Sequence, residues 1–205
     1  TNGTLIDEDF VSEMVRVGNI APALSLEGLE EETDNRRGKG VYRKIMRAMD
    51  LMREAGCVFG FSACYARNNV DVIASDEFID TMVDKGCTFG WFFTYVPVGS
   101  EPNLDLMATP EQRAKMYDAV RRFRNTKPIF LVDFWNDGEF SLGCIAGGRR
   151  YLHINAAGDV EPCAFIHYAT DNINDVSLKE ALASPLMRAY QKRQPFNQNM
   201  LRPCP

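Results

Sequence analysis

Short apolar runs alternate with amphipathic runs along the first two thirds of the chain. The apolar runs cover residues 20–26, 57–64, 87–96 and 128–135, and their apolar residues are continuous rather than alternating. Continuous runs of this length are typical of strands that are covered on both faces. The runs between them carry apolar residues at helical spacing. The pattern therefore predicts an α/β fold with a parallel sheet and covering helices.

Start and stop signals bound several of the predicted helices. Ser75 is placed to cap one helix, and Thr109 with Gln112 three residues later forms a capping box for another. Residues 5–17 add an earlier helix. Residues 1–4 are then predicted to lie at the end of a preceding strand, so we expect the sequence to be a piece of a longer chain.

The pattern changes after about residue 140. Residues 151–155 alternate between polar and apolar types, and a turn with Gly158 leads into residues 160–163, which predicts a β-hairpin. Ser177 and Glu180 form a further capping box, so a helix follows the hairpin.

Two domains are therefore predicted. Residues 1–139 are expected to form part of a TIM-like (β/α) barrel, and residues 140–205 a small module made of the hairpin and the helix.

Composition narrows the functional classes. The chain has 205 residues, a net charge of −5 and a pI near 5.2, which disfavours nucleic acid as a partner. No apolar stretch approaches the length that spans a membrane. Six cysteines in a chain of this size favour a reducing cytoplasm over a disulfide scaffold.

Polar residues follow the predicted strands. In barrel-like sheets the functional side chains lie at the carboxyl ends of strands. Residues that meet this description are Asn2, Ser25, Glu27, Ser62, Thr94, Tyr95, Asp133, Asn136 and Asp137.

Two cysteines bracket the predicted hairpin. Cys144 and Cys163 are candidate ligands of one metal site, with Cys204 as a third, because thiolates bind iron–sulfur clusters and zinc alike. Gly147 and Gly148 are expected to bring backbone amides close to such a cluster. The spacing alone is equally compatible with buried free cysteines, and zinc remains an alternative to iron.

Four stretches, in the same order along the chain, carry a family resemblance. They are TNGTL at residues 1–5, ALSLEG at 23–28, TDNRRG at 33–38, and Cys144 followed at fixed spacing by Gly158 and Cys163. Together they resemble the radical S-adenosylmethionine (radical SAM) enzymes that carry a SPASM or twitch extension. The CxxxCxxC motif of that family is absent from the sequence, which puts the ligands of the SAM cluster outside it.

The resemblance implies a function. A radical SAM enzyme reductively cleaves S-adenosylmethionine to a 5′-deoxyadenosyl radical, which abstracts hydrogen from a substrate. The implied cofactors are SAM and an auxiliary [4Fe–4S] cluster. The implied partners are a small-molecule or peptide substrate and a reductant such as flavodoxin or ferredoxin. The alternatives are a non-catalytic metal-binding or electron-transfer module, and an α/β-barrel enzyme with a structural zinc site.

The resemblance also implies roles for residues. Ser25 and Glu27 are expected to reach the ribose or amino-acid end of SAM, and Asn2 to line the same cavity. Arg37, with Arg36 as the alternate, is expected to bind the methionine carboxylate, since a guanidinium pairs with a carboxylate through two hydrogen bonds. A surface arginine that pairs with the acidic residues 30–32 is the simpler alternative.

The catalytic residues are less defined by sequence. Asp133 and Tyr95 are the candidates, with Trp135 and Asp137 at the same strand end as Asp133. A tyrosine at the position of Tyr95 is more often a packed core residue, and the residues after Asp133 are equally compatible with a solvated turn. Further candidates are Cys64 as a hydrogen-atom donor and His167 as an additional ligand, whereas Cys57, Cys87 and His153 are expected to be structural.

Overall fold

The computed structural model describes residues 1–192 of the 205. The chain divides into two compact units, of which the first is Thr1–Phe134 and the second begins at Trp135. No helix among the described residues is both long and apolar enough to span a bilayer.

The first unit is built on four parallel strands. They are β1 (Ala23–Leu26), β2 (Gly60–Tyr65), β3 (Phe89–Thr94) and β4 (Phe130–Asp133), and their spatial order is their chain order. This arrangement is a segment of a βα barrel and confirms the α/β class. Thr1 lies beside β1, because the amide of Ser25 donates to its carbonyl at 2.9 Å.

Helices connect the strands and continue into the second unit. A 3-10 turn at Leu104–Leu106 follows β3. In chain order the helices are α1 (Glu8–Val17), α2 (Glu30–Arg37), α3 (Val41–Glu54), α4 (Val70–Ile73), α5 (Asp76–Asp84), α6 (Pro110–Thr126), α7 (Gly138–Ser141), α8 (Leu178–Leu182) and α9 (Pro185–Lys192).

The predicted helix caps are present. Ser75 Oγ accepts a hydrogen bond from the amide of Phe78, and Thr109 and Gln112 make the reciprocal bonds of a capping box. Both strands β2 and β3 begin later than predicted. The amides of Cys57 and Cys87 donate to carbonyls in the last turns of α3 and α5, so these cysteines complete helix ends and lie outside the strands.

The two faces of the sheet differ in character. Phe61 and Phe92 belong to the core beneath the helices, where their rings meet edge to face with centroids 5.4 Å apart. On the opposite face, Ser25, Ser62 and Trp91 lie side by side in register, and Trp91 is 44% exposed. The opposite face therefore contains small polar and exposed aromatic residues, which the continuous apolar pattern did not distinguish.

The second unit contains the predicted hairpin. Strands β5 (His153–Ile154) and β6 (Val160–Glu161) pair in antiparallel register. Gly158 has a φ of 90° in the intervening turn, which explains the glycine there. The capping box of Ser177 and Glu180 opens α8 as predicted.

The start of α3 depends on one aspartate. Asp34 accepts hydrogen bonds from the amides of Gly40 and Tyr42 at 2.6 and 2.9 Å. These bonds, led by the one from Tyr42, hold the pKa of Asp34 below its ordinary value. The charged carboxylate is therefore the form that the fold stabilises.

Asp34→Ala is expected to lower the midpoint of thermal unfolding at pH 7. Since the folded-state pKa is depressed, the stabilisation is present above the unfolded value of about 3.9 and is lost as pH falls below it. The difference in unfolding midpoint between variant and parent should therefore be smaller at pH 3 than at pH 7, as measured by circular dichroism. Asp118→Ala on α6 is the control, and an equal difference at both pH values would contradict the assignment.

Candidate functional site

The loop after β1 is held by a buried hydroxyl. The amide of Glu27 donates to Thr33 Oγ1 at 3.1 Å, and that hydroxyl donates to the carbonyl of Gly28 at 3.2 Å. Thr33 lies in the first turns of α2 and is fully buried. These two bonds fix the backbone of Glu27 against the helix that carries both candidate arginines.

Two consecutive arginines bind the Glu27 carboxylate. Arg36 Nη1 lies 2.5 Å from Oε2, while Arg37 donates to Oε1 through Nε at 2.8 Å and Nη2 at 2.5 Å. Glu27 is 1% exposed, so its charge depends on these partners. Two guanidinium groups on one carboxylate leave one net positive charge at this end of the sheet.

The environment of Arg36 preserves its charge. Burial acts to lower the pKa of Arg36, but the charge of Glu27 and the hydrogen bond to it raise the pKa above its ordinary value. Arg36 also interacts with Cys64, whose thiol pKa is raised by burial and partly restored by Arg36. Arg36 therefore remains a cation within a partly buried site.

A cavity of about 380 Å³ opens beside this ion pair. Glu27 and Arg36 line it together with Tyr95, whose hydroxyl accepts a hydrogen bond from the amide of Asn103. The remaining lining residues are Glu31, Glu32, Asn35, Ala66, Asn68, Asn69 and Leu106.

One asparagine joins the two strand ends beneath the cavity. Asn69 Nδ2 donates to the carbonyls of Glu27 and Cys64 at 2.9 and 3.0 Å, and Oδ1 accepts from the amide of Ala66 at 2.7 Å. The side chain is buried with both polar atoms bonded. It thereby fixes the spacing between the loops that follow β1 and β2.

The donor set fits S-adenosylmethionine. A guanidinium suits the methionine carboxylate, an aromatic ring suits the adenine, and amide and carboxylate side chains suit ribose hydroxyls and an amine. The volume lies in the range of cofactor pockets. Arg36, which was the alternate to Arg37 in the sequence prediction, is the arginine that lines the cavity.

Other predicted cofactor residues have different surroundings. Both carboxylate oxygens of Glu27 accept from arginines, so its immediate partners are protein groups. Ser25 lies in mid-strand beside Ser62, and Asn2 is exposed with Oδ1 accepting from Thr4. Neither Ser25 nor Asn2 lines the cavity.

The two catalytic candidates separate in the structure. Tyr95 lines the cavity, as described above. Asp133 is fully buried at the end of β4, two residues after the core residue Leu131, so it lies on the same helix-covered face of the sheet. The structure therefore brings Tyr95, but not Asp133, next to the paired arginines.

The second unit brings two cysteines together. Cys144 Sγ accepts a hydrogen bond from the amide of Ala146 at 3.4 Å, and Cys163 Sγ accepts one from the Tyr151 hydroxyl at 3.0 Å. Burial raises the pKa of the Cys144 thiol, the Ala146 amide lowers it, and the charge of Cys163 raises it. The amide of Gly147 donates to the carbonyl of Pro162 at 2.9 Å, so the loop after Cys144 pairs with the residue that precedes Cys163.

This arrangement fits an iron–sulfur cluster. Both cysteines are free thiols, and each sulfur already has a hydrogen-bond donor of the kind that stabilises a metal-bound thiolate. Within residues 1–192 no group of three or more His, Cys, Asp or Glu side chains is placed to hold a metal. The third predicted ligand, Cys204, lies outside the described residues.

The expectation for the two glycines is wrong. The amides of Gly147 and Gly148 donate to the carbonyls of Pro162 and Tyr151, so they are not directed at a cluster. A Cβ at Gly147 would lie 2.2 Å from Tyr190, and one at Gly148 would lie 2.1 Å from a Leu182 methyl. The glycines instead allow α8 and α9 to approach the cysteine loop closely.

The two histidines flank a buried acid rather than the cysteines. His153 Nε2 and His167 Nδ1 lie 3.9 and 3.7 Å from Glu161 Oε2. Asn155 Nδ2 donates to the other carboxylate oxygen at 3.1 Å. His153 is in strand β5 as predicted.

Comparison with known proteins places residues 144–205 in a defined domain family. They match the model of the SPASM domain, described as an iron–sulfur cluster-binding domain. The AdoMet-dependent heme synthase of Methanosarcina barkeri is 22% identical over 208 residues, covering 88% of this chain and 58% of the relative. The Fe-coproporphyrin III synthase of the same organism is 34% identical over 71 residues, which is 34% of this chain and 18% of that protein.

Solved structures share the fold. anSMEcpe with bound AdoMet superposes with a TM-score of 0.69 at 19% identity, covering 93% of this chain and 57% of that chain. SuiB of Streptococcus suis bound to S-adenosylmethionine gives a TM-score of 0.69 at 17% identity, with 94% and 49% covered. The chain spans about half the length of the curated heme synthases that it matches.

The described fold is thus a parallel βα-barrel segment followed by a unit with two neighbouring cysteines, and residues 144–205 match an iron–sulfur cluster-binding domain. The family to which these similarities point is that of the radical SAM enzymes with a SPASM region, so the resemblance predicted from the sequence motifs is confirmed.

Some site residues were not predicted from the sequence. Asn69 follows β2 at the start of α4, a position where asparagine usually signals a helix cap, and its bonds to two strand ends are a tertiary feature. Tyr151 is adjacent to the hairpin, but nothing in its spacing indicates that its hydroxyl reaches Cys163.

Cys163→Ala is expected to lower the iron and sulfide bound per chain in the intact, anaerobically purified protein. Loss of one thiolate ligand removes an iron–sulfur bond, because alanine carries no ligating atom. Iron and acid-labile sulfide assays measure the effect, with Cys57→Ala as the control. Unchanged iron and sulfide in Cys163→Ala, or stoichiometric zinc in the parent, would contradict the cluster assignment.

Proposed function

We propose that this chain belongs to an enzyme that reductively cleaves S-adenosylmethionine to a 5′-deoxyadenosyl radical, which abstracts hydrogen from a substrate. An auxiliary cluster in the SPASM domain accompanies the reaction. The observation that carries the proposal is a cavity at the strand ends of a radical SAM-type fold, lined by Arg36 with amide, carboxylate and aromatic side chains, in a chain that continues into a SPASM domain.

Arg36 and Arg37 are proposed to act as a pair on the methionine carboxylate. Glu27 holds both guanidinium groups, while the loop bonds through Thr33 fix Glu27 itself. Since Glu27 already orients both guanidinium groups, an incoming carboxylate meets donors that need little further ordering. Tyr95 is proposed to contact the adenine.

The barrel-like setting suits radical chemistry. When SAM is bound, its cleavage supplies the reactive carbon radical, and the residues of this chain orient the molecule and keep solvent away. Asn69 contributes by fixing the two loops that bound the cavity. A reductant of the flavodoxin or ferredoxin type is proposed to supply the electron.

Arg36→Gln is expected to raise the KM for SAM by about tenfold or more while the fold is retained. The glutamine keeps a hydrogen-bond donor but removes the charge that the methionine carboxylate would meet. The assay follows 5′-deoxyadenosine and methionine formed by the intact protein under anaerobic reducing conditions. Arg43→Gln, which removes an exposed partner of Glu30, is the control.

The proposed function fails if the intact protein, loaded with iron and sulfide, forms no 5′-deoxyadenosine. An unchanged KM in Arg36→Gln would leave the reaction in place and remove the assigned role of the arginine.

The substrate is proposed to contain a large planar ring system. A row of aromatic rings follows β3 on the face opposite the helices, with centroids 6.4 Å apart for Phe89 and Trp91 and 6.3 Å for Trp91 and Phe93. Phe134 continues the row at 5.2 Å from Phe93. Such a wall suits stacking against a planar ring system. The heme synthase and Fe-coproporphyrin III synthase relatives support the same class.

A peptide is the competing substrate class, because structural neighbours include SuiB bound to its precursor peptide SuiA.

The chain offers a direct test. Trp91→Ala should weaken the binding of Fe-coproporphyrin III to the intact protein by about tenfold, measured by absorbance titration. Phe10→Ala, which removes an exposed ring on α1, should leave the affinity unchanged. Equal affinity in parent and Trp91→Ala would exclude the aromatic row as the binding surface.

A further inference from the structure

The hydroxyl of Tyr151 occupies a defined position between backbone and sulfur. The amide of Ala164 donates to Tyr151 Oη at 2.8 Å, and the same oxygen donates its proton to Cys163 Sγ at 3.0 Å. A cluster-bound thiolate carries no proton, so the phenol is the donor in this bond while its oxygen accepts from the backbone amide.

The backbone holds this tyrosine in place. The amide of Tyr151 donates to the carbonyl of Ile145 at 3.2 Å, and its carbonyl accepts from Gly148 at 3.0 Å. Tyr151 is thereby tied to the loop that follows Cys144, while its side chain reaches the opposite cysteine. A single residue thus connects the two sides of the cysteine pair.

The recipient sulfur is well shielded from water. Cys163 is 5% exposed, whereas Cys144 is only partly buried and accepts its bond from a backbone amide. Hydrogen bonds in a poorly solvated setting are electrostatically stronger than in water. The phenol therefore acts on the sulfur that has less solvent to stabilise its negative charge.

Such a bond affects an iron–sulfur cluster in a known direction. A donor to a ligating thiolate stabilises the more negative, reduced state, and so raises the reduction potential. The phenol of Tyr151 donates to Cys163, whereas the amide of Ala146 donates to Cys144. A substitution at Tyr151 therefore changes the reduction potential through Cys163 alone.

We propose that Tyr151 is a positioning residue that sets the reduction potential of the auxiliary cluster through its hydrogen bond to Cys163. This inference rests on the iron–sulfur part of the proposed function and is independent of SAM cleavage. The proposed role is to set a reduction potential, because the hydrogen bond acts on a cluster ligand and requires no contact with a substrate.

Two substitutions at position 151 test the inference with opposite signs. Tyr151→Phe removes only the hydroxyl and should lower the potential, changing the reduced-to-oxidised ratio at a fixed potential by up to about tenfold, or about 59 mV for one electron. Replacing Tyr151 with 3-fluorotyrosine keeps the ring and the bond but makes the phenol a stronger donor, so the potential should rise. Tyr168→Phe, an exposed tyrosine of the same unit, is the control.

The readout is an anaerobic redox titration of the intact protein, followed by the electron paramagnetic resonance signal of the reduced cluster. Iron and sulfide are assayed first, because Tyr151→Phe also leaves the Ala164 amide without its phenol partner. If that variant does not load, the fluorotyrosine protein decides the question. Potentials that match the parent in every loaded variant would overturn the inference, whereas absence of iron from the parent would instead overturn the cluster assignment.

Discussion

The described structure of the first unit depends on one buried negative charge. Glu27 stands where β1 ends, and removing it from water is tolerable only because Arg36 and Arg37 bind both of its oxygens. The stoichiometry has a chemical consequence. One arginine is enough to neutralise the acid, so the second adds a positive charge beside the cavity. The same contact that makes burial possible thus also holds the Arg36 guanidinium at the cavity, where it can donate to an anionic group.

The second unit uses a comparable arrangement around sulfur. Cys163 is buried and accepts a hydrogen bond from Tyr151, whose oxygen is in turn held by the Ala164 amide. In both units a group that carries or develops negative charge accepts hydrogen bonds from side chains that are already in place. Such donors lose little conformational freedom when a ligand or metal arrives, which favours binding. The chemistry differs, but the physical requirement is the same.

Local features of this fold could be predicted from sequence, whereas its contacts could not. Ser75, Thr109 and Ser177 act within three residues of their own position, and their caps are present as predicted. Which arginine of an adjacent pair lines the cavity depends on the helical phase of α2 relative to Glu27. The expectation that the Gly147 amide faces a cluster is wrong because its partner is the carbonyl of Pro162, a long-range contact that the sequence does not indicate.

The strand pattern shows the same limit in another form. Continuous apolar runs predict strands covered on both sides, yet the two faces of this sheet have different roles. Phe61 and Phe92 pack under helices. Trp91, which precedes Phe92 in β3 and points to the opposite face, remains 44% exposed. A tryptophan and a phenylalanine count equally in a hydrophobic pattern, although one contributes to the core and the other offers a surface for stacking. Alternation within a strand decides which face a residue occupies, and the register between strands decides which residues on that face are neighbours. The candidate binding surface around Trp91 therefore depends on both.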